Sequence, residues 1–174
     1  MTIDIHSEPN GFVNMVCGFA FRHLHDSGEP IDVLLIEKRR GPPGVVDRWN
    51  GPGGKVEDDG LEDLQVAMVR EFEEETGAAT KPEAWVRFVE FGFDGGCVHF
   101  FVHRGEEYPG LRTGSDSVTD EGVHWINAHD LSAWKISDAK PAANLRWLVP
   151  LALDILFGAN FELPIVVTDL WENA

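Results

Sequence analysis

The stretch GPGGKVEDDGLEDLQVAMVREFEEETGA, residues 51–78, predicts a glycine-rich loop that runs into one amphipathic helix. Gly53 and Gly54 let the backbone approach a ligand closely or adopt a positive φ, which a residue with a Cβ resists. We therefore expect the two glycines to line a binding site.

The limits of the helix follow from its polar and glycine residues. Asp59 and Glu62 have the spacing of a capping box, so we expect the helix to begin near Gly60 or Leu61. Gly77 suits the position just past the C-terminus of a helix.

Three carboxylates, those of Glu71, Glu74 and Glu75, share one face of this helix because they lie three and four residues apart. Such like charges repel one another, and a hard divalent cation with oxygen ligands, usually Mg²⁺ at a phosphate site, turns that repulsion into binding. The alternative is a solvated acidic face on which Arg70 pairs with Glu74 one turn later.

The complete string resembles the Nudix box, the signature of the Nudix hydrolases. Residues 70–78, REFEEETGA, match R-E-apolar-x-E-E-x-G-apolar at every fixed position, and the spacing between Glu62 and Arg70 also fits. The first half departs, since seven residues separate Gly54 from Glu62, two more than in the pattern. The departure indicates an enlarged loop at residues 58–61 and leaves the role of Glu62 open.

The resemblance implies an α/β fold in which a mixed β-sheet lies between helices, an α/β/α sandwich. It also implies a Mg²⁺-dependent nucleoside triphosphate pyrophosphohydrolase, with Mn²⁺ as an alternative cation. Glu71, Glu74 and Glu75, together with the carbonyl oxygen of Gly54, would bind the metal. Glu71 would serve as ligand or as general base, and Arg70 would orient Glu71 and Glu74.

The residues before the glycines bear on the substrate. Trp49 and Asn50 resemble a W-N pair of the subgroup that removes oxidised purine nucleoside triphosphates such as 8-oxo-dGTP, which implies that Asn50 contacts the purine edge. The alternative is that Asn50 only forms a turn. The paired aspartates that read the oxopurine in some members are absent upstream of Trp147, where Ala143 and Asn144 stand.

Basic and acidic residues outside the helix complete the predicted site. The cluster of residues 38–40, including Arg39, leads into the glycine loop and is a candidate for phosphate contact, as is Lys55; solvated side chains are the alternative for both. By resemblance, an acidic residue before a tryptophan-containing strand supplies a metal ligand or the base. Glu121 is the first candidate and Asp120 the second, against a plain acidic loop.

Alternating apolar residues predict strands elsewhere. Residues 11–24 and 33–36 look like a hairpin, and residues 85–93 and 96–103 flank Asp94-Gly95, a strong hairpin signal. A further short strand is expected at residues 124–126.

Two histidines and two cysteines fall on these strands. We expect His99 and His103 at the surface or at the rim of a pocket, with a ligand role as the weaker alternative. Cys17 and Cys97 lie among apolar residues, which favours buried, reduced thiols over a disulfide.

Residues 141–157 have apolar positions at helical spacing and predict a C-terminal helix that Pro150 kinks or splits. Residues 161–174 are an extra strand or a tail. The 174 residues suit a single domain over residues 1–174.

The net charge of −16 argues against nucleic-acid polymers and anionic membranes as charge-driven partners. A nucleotide remains compatible, because a bound Mg²⁺ can bring its phosphates in. The N-terminus, MTIDIHSEPN, lacks the features of a signal peptide, so we expect a cytoplasmic protein, as monomer or homodimer.

Two alternatives to the triphosphate function stay open. One is a Nudix hydrolase of another diphosphate, such as a nucleotide sugar or a dinucleoside polyphosphate. Residues 91–93 lack the proline or tyrosine that is typical of the ADP-ribose and dinucleoside classes in this region. The other alternative is a nucleotide-sensing domain that binds without hydrolysis, although such relatives usually lose box carboxylates.

Overall fold

The computed structural model describes residues 12–25, 28–40, 45–57, 62–130 and 140–168. Within these ranges the chain forms the following strands and helices, in order: β1 Val13–Phe19, β2 Phe21–Arg22, β3 Asp32–Lys38, β4 Arg48–Asn50, α1 Leu64–Thr76, β5 Trp85–Phe93, β6 Gly96–His103, β7 Val123–Asn127, β8 Lys140–Pro141, α2 Leu145–Leu156 and β9 Ile165–Thr168.

The first sheet has the strand order β1-β6-β5-β9. β5 and β6 form the predicted hairpin, which turns at Asp94-Gly95 with Gly95 at a φ of 80°. β1 pairs with β6 in parallel, and β9 pairs with β5 in parallel. The segment after residue 161 therefore contributes a strand to this sheet.

The second sheet is built around β3, which pairs antiparallel with β2, β4 and β7, while β4 pairs in parallel with β8. The prediction of one hairpin from residues 11–24 and 33–36 is therefore correct only for β2. At Ala20, which is fully buried, the chain passes from the first sheet to the second. β1 pairs instead with the long strand β6, because that pairing satisfies its backbone over seven residues.

Each helix covers its own apolar core. The core under α1 contains Ala67, Met68 and Phe72 together with strand residues of both sheets, including Leu34, Ile36, Trp85 and Phe101. The core under α2 contains Leu145, Leu148, Val149 and Ala152 with Phe19, Val33, Phe88 and Phe100. Neighbouring residues of β3, Val33 and Leu34, thus face opposite helices, as the period of two along a strand requires. The α/β/α sandwich with mixed β-structure is confirmed, with the strands divided between two sheets.

The predicted start of α1 is wrong. The helix begins at Leu64 after the N-cap Asp63, whose Oδ1 accepts from the backbone N–H groups of Gln65 and Val66 at 2.9 and 3.2 Å. Asp63 provides this cap itself, so Glu62 precedes the helix, and the predicted cap Asp59 lies outside the described residues. The predicted end is confirmed, since Gly77 follows the last turn at a φ of 76°.

The C-terminal helix is shorter than predicted and is continuous. α2 begins at Leu145 because residues 140–141 are used by β8, and Pro150 lies inside the helix without splitting it. Within the described residues, neither α1 nor α2 combines the length and apolar character needed to cross a membrane.

The expected exposure of the two β6 histidines is wrong. His99 is 6% exposed and His103 is 5% exposed. The rings of Trp85 and Tyr108 pack against His103, and Asn14 and Glu90 of the flanking strands lie beside His99. Cys17 and Cys97 are both buried and free, as predicted.

Candidate active site

The glycine loop packs against β1 and against the side chains of α1. Backbone N–H groups of Val16 and Gly18 donate to the carbonyl oxygens of Gly54 and Pro52 at 2.9 and 2.8 Å. A Cβ on Gly53, whose φ is 153°, would lie 2.7 Å from Cys17 Cα, and a Cβ on Gly54 would lie 2.6 Å from Glu71 Cδ. Gly53 needs glycine, because a Cβ there would collide with the backbone of β1, whereas a Cβ on Gly54 would displace the Glu71 carboxylate.

Arg70 gathers three carboxylates from α1 and from the segment before it. Its Nε and Nη2 donate to the two oxygens of Glu62, each at 3.0 Å, in a bidentate pair. Its Nη1 donates to Glu71 at 2.8 Å and, more weakly, to Glu74 at 3.4 Å, while Nη2 also donates to the carbonyl oxygen of Lys55 at 3.0 Å. Arg70 thereby joins the helix to the glycine loop.

Lys38 holds the remaining carboxylates. Its Nζ donates to Glu75 Oε1 and to the carbonyl oxygen of Gly53, the latter at 2.9 Å, and lies 3.7 Å from Glu121 Oε2. The other oxygen of Glu75 accepts from the backbone N–H of Gly53 at 2.8 Å. Lys38, Glu75 and Glu121 have side chains only 10–14% exposed, so this is a buried ion-pair network.

Glu121 lies at the rim of this network. Its Oε1 accepts from the backbone N–H groups of Arg39 and Arg40 at 2.6 and 3.3 Å. Asp120, the second candidate at this place, is exposed and pairs with the Arg40 guanidinium at 3.2 Å. Of the two, Glu121 is the residue that shares the Lys38 ammonium with Glu75.

We call Lys38, Glu62, Arg70, Glu71, Glu74, Glu75 and Glu121 the box cluster. Burial raises the pKa values of Glu71 and Glu75 above the usual range of a glutamate, although Arg70 and Lys38 oppose the shift. Hydrogen bonds from Arg70 lower the pKa of Glu62, and those to Glu62 raise the pKa of Arg70. Glu71 and Glu75 are thus carboxylates whose negative charge is only partly compensated within the protein.

The predicted substrate-binding residues surround this cluster at different depths. Asn50 is half-buried on β4 and accepts from the Cys17 thiol at 3.8 Å. Burial raises the pKa of that thiol to about 12, so it stays protonated. Lys55 is exposed on the glycine loop. The Arg39 side chain is 48% exposed and pairs with Glu37 at 3.2 Å.

The sequence interpretation missed the place of Lys38 and the partner of Glu62. Lys38 was grouped with Arg39 and Arg40 as a candidate for phosphate contact or solubility. In the structure it is buried and forms an ion pair with Glu75. The period of two along β3 contains the signal, because it puts Lys38 on the same face as Leu34 and Ile36, toward α1. The pairing of Glu62 with Arg70 was not predicted, because the enlarged loop left the role of Glu62 open.

The family comparison agrees with this geometry. A model of the NUDIX domain matches residues 19–147, which is most of the chain. The chain therefore belongs to the Nudix family, the hydrolases that carry the box of the glycine loop and α1. No curated protein matches the sequence.

Three solved structures illustrate the range of similar proteins. A structure of MutT, from work on Aliivibrio salmonicida and Vibrio cholerae, is 25% identical with a TM-score of 0.57, over 82% of this chain and 98% of that one. The NUDIX domain of Shewanella oneidensis NrtR, complexed with ADP ribose, is 18% identical with a TM-score of 0.55, over 83% and 88%.

The third is a longer protein, a bifunctional NMN adenylyltransferase/ADP ribose pyrophosphatase from Francisella tularensis, complexed with AMP and a Mn ion. It is 18% identical with a TM-score of 0.57, and the match covers 87% of this chain but only 43% of that one. The last two similarities concern the fold alone.

Proposed function

We propose that this protein is a Mg²⁺-dependent nucleoside triphosphate pyrophosphohydrolase that releases a nucleoside monophosphate and pyrophosphate. The observation that carries the proposal is the meeting of the glycine loop with Glu71, where a Cβ on Gly54 would collide with the carboxylate. A loop and a carboxylate in such contact can hold a phosphate chain and its counter-ion side by side.

The donor atoms of the box cluster are of the type that a hard divalent cation prefers, although among the described residues no three of the cluster's carboxylates have oxygens within 4.8 Å of one another. Glu71, Glu74, Glu75 and Glu121 offer carboxylate oxygens, and the Gly54 carbonyl offers a second lone pair beside its bond from Val16. The raised pKa values of Glu71 and Glu75 indicate that added positive charge would be favourable there. When bound, Mg²⁺, or Mn²⁺ in its place, would neutralise phosphate oxygens and lower the pKa of a coordinated water. The Mn ion in the Francisella tularensis protein supports this choice.

The residues of the chain then have separate tasks. Glu71 or Glu121 takes the proton of the water that attacks phosphorus, while the anhydride oxygen leaves with the pyrophosphate. Arg70 orients Glu71 and Glu74. The loop at Gly53 lines the phosphate chain, and the exposed Lys55 and Arg39 contact its oxygens.

The nucleobase of the proposed substrate is an oxidised purine. Asn50 lies half-buried beside the glycine loop, and its amide can both donate to and accept from an oxopurine edge. The similarity to MutT supports this choice. The two free, buried cysteines support a reducing, cytoplasmic setting.

The second candidate is hydrolysis of another nucleoside diphosphate derivative. The NrtR domain with ADP ribose and the ADP ribose pyrophosphatase of Francisella tularensis favour it. NrtR also gives a precedent for nucleotide binding beside DNA binding, since a Shewanella oneidensis structure contains a DNA 27mer.

The test is a substrate panel with Mg²⁺, Mn²⁺ or chelator. It contains normal and oxidised purine triphosphates, ADP ribose, nucleotide sugars and dinucleoside polyphosphates. We expect pyrophosphate from triphosphates, with the oxidised purines fastest. Glu74→Gln should reduce turnover at least about a hundredfold, whereas the matched control Glu73→Gln, exposed on the same turn, should stay near wild type.

Full activity of Glu74→Gln would overturn the metal site. Faster turnover of ADP ribose than of any triphosphate would replace the proposed substrate class. Nucleotide binding without turnover in any metal would make the protein a sensor.

A further inference from the structure

A second group of metal-ligating side chains lies on the β5–β6 hairpin and shares no residue with the box cluster. In the part of the chain that the structure describes, Glu90, Cys97 and His99 form the one group of three His, Cys, Asp or Glu residues whose ligand atoms all lie within 4.8 Å of one another. We call these residues the strand cluster. Cys97 and His99 alternate on one face of β6, and Glu90 is the cross-strand partner of His99.

The imidazole of His99 has one partnered and one unpartnered nitrogen. Nε2 lies 3.2 Å from Asn14 Oδ1, so Nε2 carries the proton and donates. Nδ1 is then a buried lone pair without a hydrogen-bond partner. Glu90 Oε2 lies 3.6 Å from this nitrogen, too far for a hydrogen bond. Two acceptors therefore face each other across a gap that a cation would fill.

A protonated His99 that pairs with Glu90 is the competing explanation. The 3.6 Å between Nδ1 and Glu90 Oε2 is longer than a charge-assisted hydrogen bond, which opposes it. Arg87, 3.5 Å from Glu90 Oε2, also supplies positive charge beside that carboxylate and opposes a second one on the imidazole. A neutral imidazole with a free Nδ1 is the form that binds metals.

We propose that the strand cluster binds a Zn²⁺ ion through Cys97 Sγ, His99 Nδ1 and a Glu90 oxygen. Thiolate, imidazole and carboxylate together are a donor set that suits Zn²⁺ and not Mg²⁺. The Cys97 thiol loses its proton to solvent as the zinc–sulfur bond forms, while His99 and Glu90 each donate a lone pair. Thiolate and carboxylate then match the charge of one divalent cation.

The surroundings suit this site in three ways. Gly92 is the cross-strand partner of Cys97, so β5 puts no side chain beside the thiol. The Glu90 side chain is 33% exposed, which gives the ion a path from solvent and a position for a bound water. Asn14, on β1, fixes the tautomer of His99 through its contact with Nε2, as outer partners of metal-ligating histidines do.

The test uses the full chain, stripped with chelator and titrated with Co²⁺ as an optical substitute for Zn²⁺. We expect one equivalent of Co²⁺ to produce a thiolate-to-cobalt charge-transfer absorption, about one proton to be released per ion, and Zn²⁺ to displace the colour. The carboxylates of the box cluster also bind Co²⁺, but oxygen ligands give no such band. Glu74→Gln should therefore keep it, which makes the result independent of the proposed hydrolase function.

Three variants and one control decide the ligands. Cys97→Ser should abolish the band, and the partly exposed Glu90→Gln, the substitution least able to disturb folding, should weaken binding at least about tenfold, as should Asn14→Ala. Cys17→Ser, which removes the other buried thiol, should leave the band unchanged. The inference is overturned if no band forms, if it survives in Cys97→Ser, or if Cys17→Ser removes it.

Discussion

The box cluster and the strand cluster both crowd ionisable groups into partly buried places, but their charges are balanced differently. In the box cluster, Lys38 and Arg70 reach the carboxylates from inside the protein, and every carboxylate contacts at least one of these two cations. In the strand cluster, Arg87 reaches Glu90, while the Nδ1 of His99 has no partner.

The difference concerns what holds each cluster together before a ligand arrives. Buried carboxylates without partners are costly, so built-in cations keep the box cluster folded in the absence of metal. A neutral imidazole and a protonated thiol cost less to bury, and burial indeed raises the pKa of Cys97 to about 11. The imidazole and the thiol of the strand cluster therefore need no internal cation, and among the described residues Arg87 pairs only with Glu90. The predictions below test this contrast, beginning with the largest effect.

Replacing Lys38 by Met should be the most damaging change to the box cluster. It leaves Glu75 and Glu121 buried without their cation, which should lower the free energy of unfolding by about 3 kcal/mol in chelator. Mg²⁺ should restore part of the loss, because a divalent cation replaces the missing charge. Urea denaturation with and without Mg²⁺ measures both effects.

The matched control is Arg39→Met, one residue further along the chain. Its side chain is about half exposed, so its ion pairs should contribute no more than about 0.5 kcal/mol. Equal losses in the two variants would show that Lys38 is not the internal cation of this cluster.

Replacing Arg70 by Met should cost about 2 kcal/mol of unfolding free energy, because charge-assisted hydrogen bonds to Glu62 and Glu71 are lost. Arg70→Lys should recover only part, since an ammonium group cannot bond both oxygens of Glu62 as the guanidinium does. Denaturation of Arg70→Met, Glu62→Gln and the double variant gives the coupling energy of the pair. Strictly additive losses would contradict the bidentate pair.

Most of the difference between the box cluster and the strand cluster could not be predicted from the sequence, for physical reasons. The box string predicted α1, its C-terminal Gly77 and the family, because those features depend on local spacing. It did not predict Arg70–Glu62 or Lys38–Glu75, because both pairs depend on how a loop or a strand is placed against the helix. The start of α1 was misplaced because Asp59 and Asp63 can both cap a helix, and only packing chooses between them.

The histidines of β6 show the same limit. Alternation along β6 puts His99 and His103 on one face, but the exposure of that face depends on which strands flank β6. The parallel partner β1 comes from a segment that the sequence had assigned to another hairpin. Fold class, the hairpin of β5 and β6 and the burial of Cys97 were therefore predictable, whereas strand order and the burial of His99 were not.

Adding one methyl group at Gly54 should show whether turnover can fall through a change of site geometry alone, without a loss of stability. The Cβ of Gly54→Ala would push the Glu71 carboxylate away, so we expect roughly a tenfold loss of Mg²⁺-dependent turnover. The control is Gly92→Ala, where the nearest atoms to a Cβ are 3.9 Å away. Rates and melting temperatures of both variants are compared. Unchanged turnover in Gly54→Ala would mean that Glu71 need not lie against the loop.

The smallest effect concerns acid sensitivity on β6. Burial lowers the pKa values of His99 and His103, so the unfolded chain binds more protons as pH falls through the pKa of an ordinary histidine. Each histidine therefore contributes a loss of stability on acidification that is absent at neutral pH. His103→Gln should make the fall in unfolding free energy between about pH 7.5 and about pH 5.5 smaller.

The two histidines should then differ in their response to zinc. Nδ1 of His103 is already bonded to Gly105, whereas that of His99 is free to bind an ion. Zn²⁺ at neutral pH should raise the melting temperature of the wild type and of His103→Gln more than that of His99→Gln, in which only the box cluster can bind the ion. If zinc stabilised His99→Gln equally, His99 would be an ordinary buried histidine. The proposed zinc site in the strand cluster, and with it the contrast between the two clusters, would then be contradicted.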